Sequence, residues 1–318
     1  MKKRIAGKAC LLVTTGFALL VAAGCSRPVV RAGEGYVTVP GGRVWYRIVG
    51  SSNAIPLLLL HGGPGGTSRG LRPLEALADE RPVVFYDQLG CGRSDRPKDK
   101  NLWRVERFVE ELQALRSTLG LERVHILGHS WGSMLAVDYM ITQPKGVQSL
   151  VLAGPAVSIP RYLEGVKALR AQLPQEVQDV LARHETAGTT SSKEYQDAAM
   201  VFYRRHLCRL DPWPPEMSMT DNSFGTEVYN EMWGPSEFFA TGPLKDYDRT
   251  GQLGKLRLPV LFTAGRFDET TPEQAEWYRS LVPGARLVVF ENSGHMTMLD
   301  EADRYVQVVR EFLRTADR

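Results

Sequence analysis

Cysteine is scarce in this 318-residue chain, with four copies, and histidine is hardly commoner, with six. So few thiols exclude a disulfide-stapled scaffold. Neither Cys91 nor Cys208 has the neighbours that metal-ligand spacing requires. Net charge is also low. The formal value is +3, too weak a field to gather nucleic acid. Lys2, Lys3, Arg4 and Lys8 are the only charged residues before Cys25, so the remainder carries −1. Internal repeats and low-complexity tracts are missing. What is present is 43% hydrophobic and 24% charged residues, enough to bury a large core. One domain with an insertion, or two small domains, is expected.

The first 24 residues read as a signal peptide. Met1 to Lys8 is basic, and Ala9 to Ala23 is apolar but shorter than the about 20 residues that span a bilayer. Leu20-Val21-Ala22-Ala23-Gly24-Cys25 resembles a bacterial lipoprotein cleavage box. That resemblance implies cleavage before Cys25 and acyl chains on its sulfur and new amino group. At about 0.8 kcal/mol per buried CH₂, two or three such chains anchor firmly. The expected location is therefore the bacterial envelope, periplasm-facing or on the outer surface, with plain export as the competing reading. Residues 25–35 read as a tether. Cys10 leaves with the leader. Cys91 and Cys208 can pair in an exported protein, but nothing in the sequence brings them close, and both read as free.

Beyond the tether, Tyr36-Val37-Thr38-Val39 and Arg43 to Val49 flank Pro40-Gly41-Gly42 as a hairpin. Leu57 to Leu60 and Val83 to Tyr86 are continuous apolar runs, as expected of strands covered on both faces. Leu102, Val105, Phe108, Val109, Leu112, Leu115 and Leu119 recur at helical spacing. Strand and helix alternate through Leu152, which predicts a mostly parallel sheet wrapped by helices. From 157 to 242 the rhythm breaks. Aromatics collect there, among them Phe202, Tyr203, Trp213, Phe224, Tyr229, Trp233, Phe238 and Phe239. This stretch is expected to be a helical cap inserted into a core of residues 36–156 and 243–318. Alternation resumes at Leu258 to Thr263. Arg286 to Phe290 is the last strand, and a closing helix carries Tyr305, Val308, Val309 and Phe312.

The chemistry centres on Gly128-His129-Ser130-Trp131-Gly132. Val124 to Leu127 reads as a strand before it. Met134, Leu135, Val137 and Ile141 read as a helix after it. A serine on such a turn, with one glycine to absorb the strained angle and both to make room, is the nucleophile elbow of an α/β-hydrolase. The helix N-terminus favours negative charge developing beside the serine. A serine hydroxyl needs a base, and the base needs an orienting acid, in the chain order Ser, acid, His. His295 follows the last strand in Asn292-Ser293-Gly294-His295, and Asp268 follows the strand ending at Thr263. Asp87 precedes the serine and reads as loop-fixing. His61 and His129 read as turn-shaping, His125 as a strand residue, and His184 and His206 as cap residues. The oxyanion needs two backbone N–H donors. Trp131, after the serine, supplies one, and Gly63 in the loop His61-Gly62-Gly63-Pro64-Gly65 supplies the other. Loss of one such donor costs roughly 2.7–4 kcal/mol.

His61-Gly62-Gly63-Pro64-Gly65, Asp87-Gln88-Leu89-Gly90-Cys91-Gly92-Arg93-Ser94 and Gly128-His129-Ser130-Trp131-Gly132-Ser133 together resemble the proline iminopeptidase family. Trp233-Gly234-Pro235-Ser236-Glu237-Phe238 and Phe267-Asp268-Glu269-Thr270-Thr271-Pro272 look most like the tricorn-associated aminopeptidases within it. The chain departs at Leu89 and His129, which leaves the subfamily open. The resemblance implies release of one N-terminal residue, often proline, from short peptides. It supports Ser130, Asp268 and His295 as a triad, with no metal or cofactor. It also implies that Glu237 and Glu269 hold the substrate's free amine. Carboxylates in a sheltered pocket bind a cation through charge-assisted hydrogen bonds. Blander readings stand beside this one. Glu237 can be a first-turn helix residue, Glu269 can face solvent, and the cap aromatics can be core rather than a wall around a pyrrolidine ring. Three competing functions share the parts: an amidase of prolinamide type, an esterase, and a binding protein that has lost turnover.

Overall fold

Short apolar runs build the middle of one sheet. The computed structural model describes residues 29–217 and 222–318. The leader, and Cys25 with it, lie outside the described residues. Among the described residues there are eight strands: β1 (Gly33–Val39), β2 (Gly42–Val49), β3 (Leu57–Leu60), β4 (Val83–Tyr86), β5 (Val124–His129), β6 (Val147–Ala153), β7 (Val260–Gly265) and β8 (Arg286–Phe290). Their spatial order is β1-β2-β4-β3-β5-β6-β7-β8. The pairs β1–β2 and β2–β4 are antiparallel, and every other pair is parallel. All four leucines of β3 are fully buried. Successive side chains point to opposite faces. Leu58 and Leu60 join Phe108, Leu112 and Trp131 on one face, while Leu57 and Leu59 join Leu71, Tyr305 and Phe312 on the other.

The helices are α1 (Val105–Thr118), α2 (Trp131–Ile141), α3 (Ile159–Arg170), α4 (Gln175–Ala187), α5 (Lys193–His206), α6 (Thr226–Met232), α7 (Thr250–Leu253), α8 (Pro272–Ser280), α9 (Thr297–Asp300) and α10 (Ala302–Ala316). Among the described residues, none is long and apolar enough to cross a membrane. The stretch 157–242 holds α3 to α6, and its described residues contribute no strand to the sheet.

Three local features differ from the sequence reading. The first strand begins at Gly33, inside the segment read as tether, and Gly33 and Gly35 pair with Ile48 and Tyr46. Glycines carry no side chain to announce a strand. Residues Ser68–Asp79 form a 3₁₀ helix whose buried Leu71, Leu74 and Leu77 repeat every third position. Finally, Ile141 is exposed, since α2 is buried all round over its first seven residues and emerges at its end.

Candidate active site

Strand β5 ends at His129 and α2 begins at Trp131, so Ser130 stands alone between them. Its backbone sits at φ 54°, ψ −121°. The strain, about 1–3 kcal/mol, therefore falls on the serine itself rather than on a flanking glycine as expected. Gly132 is needed for space, because a Cβ there would lie 2.1 Å from the Leu60 carbonyl oxygen. The strained turn is held by Ser130 N–H donating to Ala153 O (2.8 Å) and by Ser133 N–H and Oγ donating to Ser130 O (2.8 and 2.5 Å). Trp131 opens the helix, so its N–H has no intrahelical acceptor.

The loop after β8 brings in His295. Its N–H donates to His206 O at the end of α5 (2.8 Å), and Met296 N–H donates to Leu207 O (2.8 Å). Gly294 N–H donates to Asp300 Oδ2 (2.8 Å). The loop after β7 supplies Asp268, which accepts His295 Nδ1–H at 2.7 Å, Thr270 N–H at 2.8 Å and Gly265 N–H at 3.3 Å. Both side chains are buried. The other imidazole nitrogen, Nε2, has no hydrogen-bond partner among the described residues, Ser130 included. Glu269 Oε1 lies 3.6 Å from it.

Glu269 does not face solvent. It is 1% exposed, and its Oε2 has no partner among the described residues. Glu237 lies in a turn closed by a Ser236–Phe239 bridge, not in a first helical turn. Its Oε1 accepts Tyr229 O–H at 2.7 Å, and its backbone carbonyl accepts Tyr162 O–H at 3.2 Å. Burial disfavours a charged His295, but the carboxylates of Asp268, Glu269 and Glu237 outweigh it and raise its pKa to about 9. Burial pushes Glu269 well above the usual carboxylate range against the opposing charge of His295, and burial raises Glu237 as well.

Gly62, Gly63, Ser130, Phe224, Glu237 and His295 line one cavity. A Cβ on Gly62 would lie 3.0 Å from Ser130 Cβ, so this loop passes directly beside the serine. Asp87 fixes loops, accepting Ser68 N–H and O–H (2.9 and 2.8 Å) and Arg93 N–H (3.0 Å). His61 Nε2 accepts Gln88 N–H at 2.9 Å, while His129 Nε2 donates to His295 O at 3.1 Å. Cys91 and Cys208 are both free and buried. A hydroxyl on a strained turn, an imidazole backed by a buried carboxylate, amides at a helix start and two carboxylates together suit acyl transfer from a cationic acyl group.

A family model described as alpha/beta hydrolase fold matches residues 55–302. A proline iminopeptidase of Heyndrickxia coagulans is 45% identical over 284 residues, covering 89% of this chain and 99% of that protein. The chain belongs to the proline iminopeptidase family. It is thereby a serine hydrolase of the α/β-hydrolase fold. Among solved structures, a proline iminopeptidase from Mycobacterium smegmatis shares 37% identity at a TM-score of 0.82, covering 90% of this chain and 99% of its own. VinJ, also 37% identical, reaches 0.86 over 89% and 99%.

Two residues of this site are only faintly marked in the sequence. Gln88 Oε1 accepts the Trp131 indole N–H at 2.8 Å, and its Nε2–H donates to His61 O at 3.1 Å. One side chain therefore links the helix start to the loop holding Gly63. Its only sequence mark is membership of the Asp87 to Ser94 motif that carries the family resemblance. Tyr229, the partner of Glu237, stood out only as one of the cap aromatics. Of those, Phe202, Trp233 and Phe238 are buried in the core, and Phe224 reaches the cavity.

Proposed function

We propose that this chain is a serine aminopeptidase that releases an N-terminal residue, preferentially proline, from short peptides. His295 takes the proton of Ser130 as the hydroxyl attacks the carbonyl of the first residue. Gly63 and Trp131 N–H groups hold the oxyanion, and Asp268 keeps the imidazole oriented. His295 then protonates the departing amine, and water releases the acyl group from Ser130. The observation that carries this reading is a pair of carboxylates, Glu237 and Glu269, beside the imidazole of the serine cavity. An exopeptidase measures from the chain end, and that end carries a cation. Names of the relatives support the same reading.

The test compares prolyl p-nitroanilide with its N-acetylated form. The free compound is expected to be turned over and the acetylated one not; equal rates overturn the reading. Ser130→Ala is expected to abolish turnover. Glu237→Gln is expected to lower kcat/KM for the free anilide by about tenfold to a hundredfold, as for one hydrogen bond to a charged group, while a simple ester loses far less.

Export with a lipid on Cys25 is part of the same proposal, resting on the sequence of residues 1–25. Labelled palmitate is expected to enter the wild-type chain in a bacterial host and to be missing from Cys25→Ala. Equal labelling refutes the anchor.

A further inference from the structure

We propose that Glu269 holds the His295 imidazole away from catalysis until the ammonium group of a substrate takes over the carboxylate and sets the base free. This rests on the aminopeptidase reading and adds a second role for Glu269, as a lock on the base as well as an anchor.

The geometry carries it. His295 Nε2 should be the atom that receives the serine proton, yet it has no hydrogen-bond partner among the described residues and lies 3.6 Å from Glu269 Oε1. Glu269 is buried, and its Oε2 is unpartnered as well. A buried carboxylate in that state has capacity for a cation. The neighbouring carboxylates favour a proton on this pair, against the burial of His295 and a Tyr162 hydrogen bond to Glu269. Asp268 accepts from Nδ1, and Glu237 approaches from the cap turn. From the elbow comes His129, with ring centroids 4.6 Å apart. Burial, then the charge of His295, drives its own pKa well down, so it adds no competing charge. The α3 face presents Tyr162, whose hydroxyl burial holds protonated. Helix α5 presents His206, whose Nδ1–H bonds Phe267 O and whose pKa burial lowers. One imidazole thus faces three carboxylates, and it titrates at about 9.

At neutral pH this imidazole carries a proton that it must lose before it can act as a base. Entry of an ammonium group beside Glu269 and Glu237 replaces one cation with another. The proton leaves the His295–Glu269 pair for water. No substrate bond breaks in this step, and no electrons are transferred. Nε2 is then free to accept from Ser130. A substrate without the ammonium leaves the lock in place, so selection for a free N-terminus acts on the rate of chemistry as well as on binding.

A fluorophosphonate reports the state of the base without an amine. Ser130 Oγ forms a bond to phosphorus, fluoride leaves, and the serine proton passes to His295. For the full wild-type chain, the inactivation rate is expected to rise with pH to a midpoint near 9. In Glu269→Gln the midpoint is expected to fall by about one to three pH units. Below both midpoints the variant then reacts about tenfold faster for each unit moved. Glu237→Gln is expected to shift it the same way by less, and it carries the test if Glu269→Gln fails to fold. A merely structural disturbance lowers the plateau and leaves the midpoint in place. Coincident midpoints in wild type and variant overturn the lock. For wild-type turnover of prolyl p-nitroanilide, the kcat midpoint is expected below the inactivation midpoint, and coincidence there overturns the release. Equal turnover of free and acetylated anilides would sink the aminopeptidase reading and the release with it, whereas preference for the free anilide with coincident inactivation midpoints overturns the lock and leaves that reading standing.

Discussion

Position 154 shows how much of this site is steric. Gly154 follows β6 at φ 52°, and a Cβ there would lie 2.5 Å from His295 Cε1 and 2.6 Å from Nδ1. The imidazole occupies the space that a side chain would fill. Gly154→Ala therefore pushes the ring off Asp268, and the substituted residue must also adopt a left-handed backbone, costing about 1–2 kcal/mol. A displacement of this order costs about a hundredfold in rate. We expect kcat for prolyl p-nitroanilide to fall about a hundredfold in this variant, while the urea midpoint shows a loss of only about 1–2 kcal/mol. Unchanged kcat would show that the ring has another place to sit. Nothing in the sequence marks this glycine, since its reason is an imidazole 141 positions later that only the folded sheet brings near. Ser130, Asp268 and His295 are different. Each follows a strand whose apolar run is plain, and chain order alone sorts the acid from Asp87.

Among the elements, strands were legible in proportion to their burial. Runs such as Leu57 to Leu60 have no polar alternative, whereas β1 opens Gly33-Glu34-Gly35 and shows no strand pattern before Tyr36. The 3₁₀ helix over Ser68–Asp79 went unread too, since it contains Gly70 and Pro73 and repeats every third residue rather than at the α-helical period. How loops are tied to one another is harder still to read, because it depends on single hydrogen bonds across the top of the sheet. Gln88 is the clearest case. Replacing it with leucine leaves the Trp131 indole N–H and the His61 carbonyl buried without their partner, which costs about 1–3 kcal/mol for each such group. It also frees the start of α2 and the Gly62–Gly63 loop to move independently. The expected result for Gln88→Leu is a kcat lower by about tenfold or more with KM for prolyl p-nitroanilide held within about twofold, as for groups that act in the transition state. A rise in KM with kcat preserved would place Gln88 in ground-state binding instead.

For the whole molecule, the end of the sheet remote from the serine holds a second histidine with a different task. His125 is fully buried in β5. Its Nδ1 accepts Ser149 O–H at 2.7 Å, and its Nε2–H donates to Asp317 Oδ1 at 3.0 Å. Arg81, itself buried, donates to Asp317 Oδ2 at 2.8 Å and to Ile55 O at 3.2 Å. The last turn of the chain is thus fastened to the central strands. Ser149, His125 and Asp317 repeat the residue types of a catalytic triad, but His125 and Ser149 are wholly buried, which leaves the hydroxyl no room to meet a substrate. Burial pulls His125 down to about 4, with the Asp317 hydrogen bond opposing and Arg81 adding to the fall. The unfolded chain therefore binds a proton here before the folded one does. Stability from this group is complete above the ordinary histidine value of about 6.5 and drains away as pH falls toward 4. Asp317 acts next. Although burial raises it, Arg81 and His125 hold it below the usual aspartate value, so its contribution is lost at still lower pH. Between pH 7 and pH 5 His125 alone is expected to remove about 2 kcal/mol. His125→Gln keeps a donor for Asp317 and an acceptor for Ser149 but cannot titrate. Urea unfolding at the two pH values should show the wild type losing that amount more than the variant, whatever the variant has lost at pH 7. Equal slopes would mean that the acid sensitivity of this fold resides elsewhere, though not in the His295 cluster. That cluster has the opposite sign, since a raised histidine contributes its stability below about 6.5 and loses it as pH climbs through about 9.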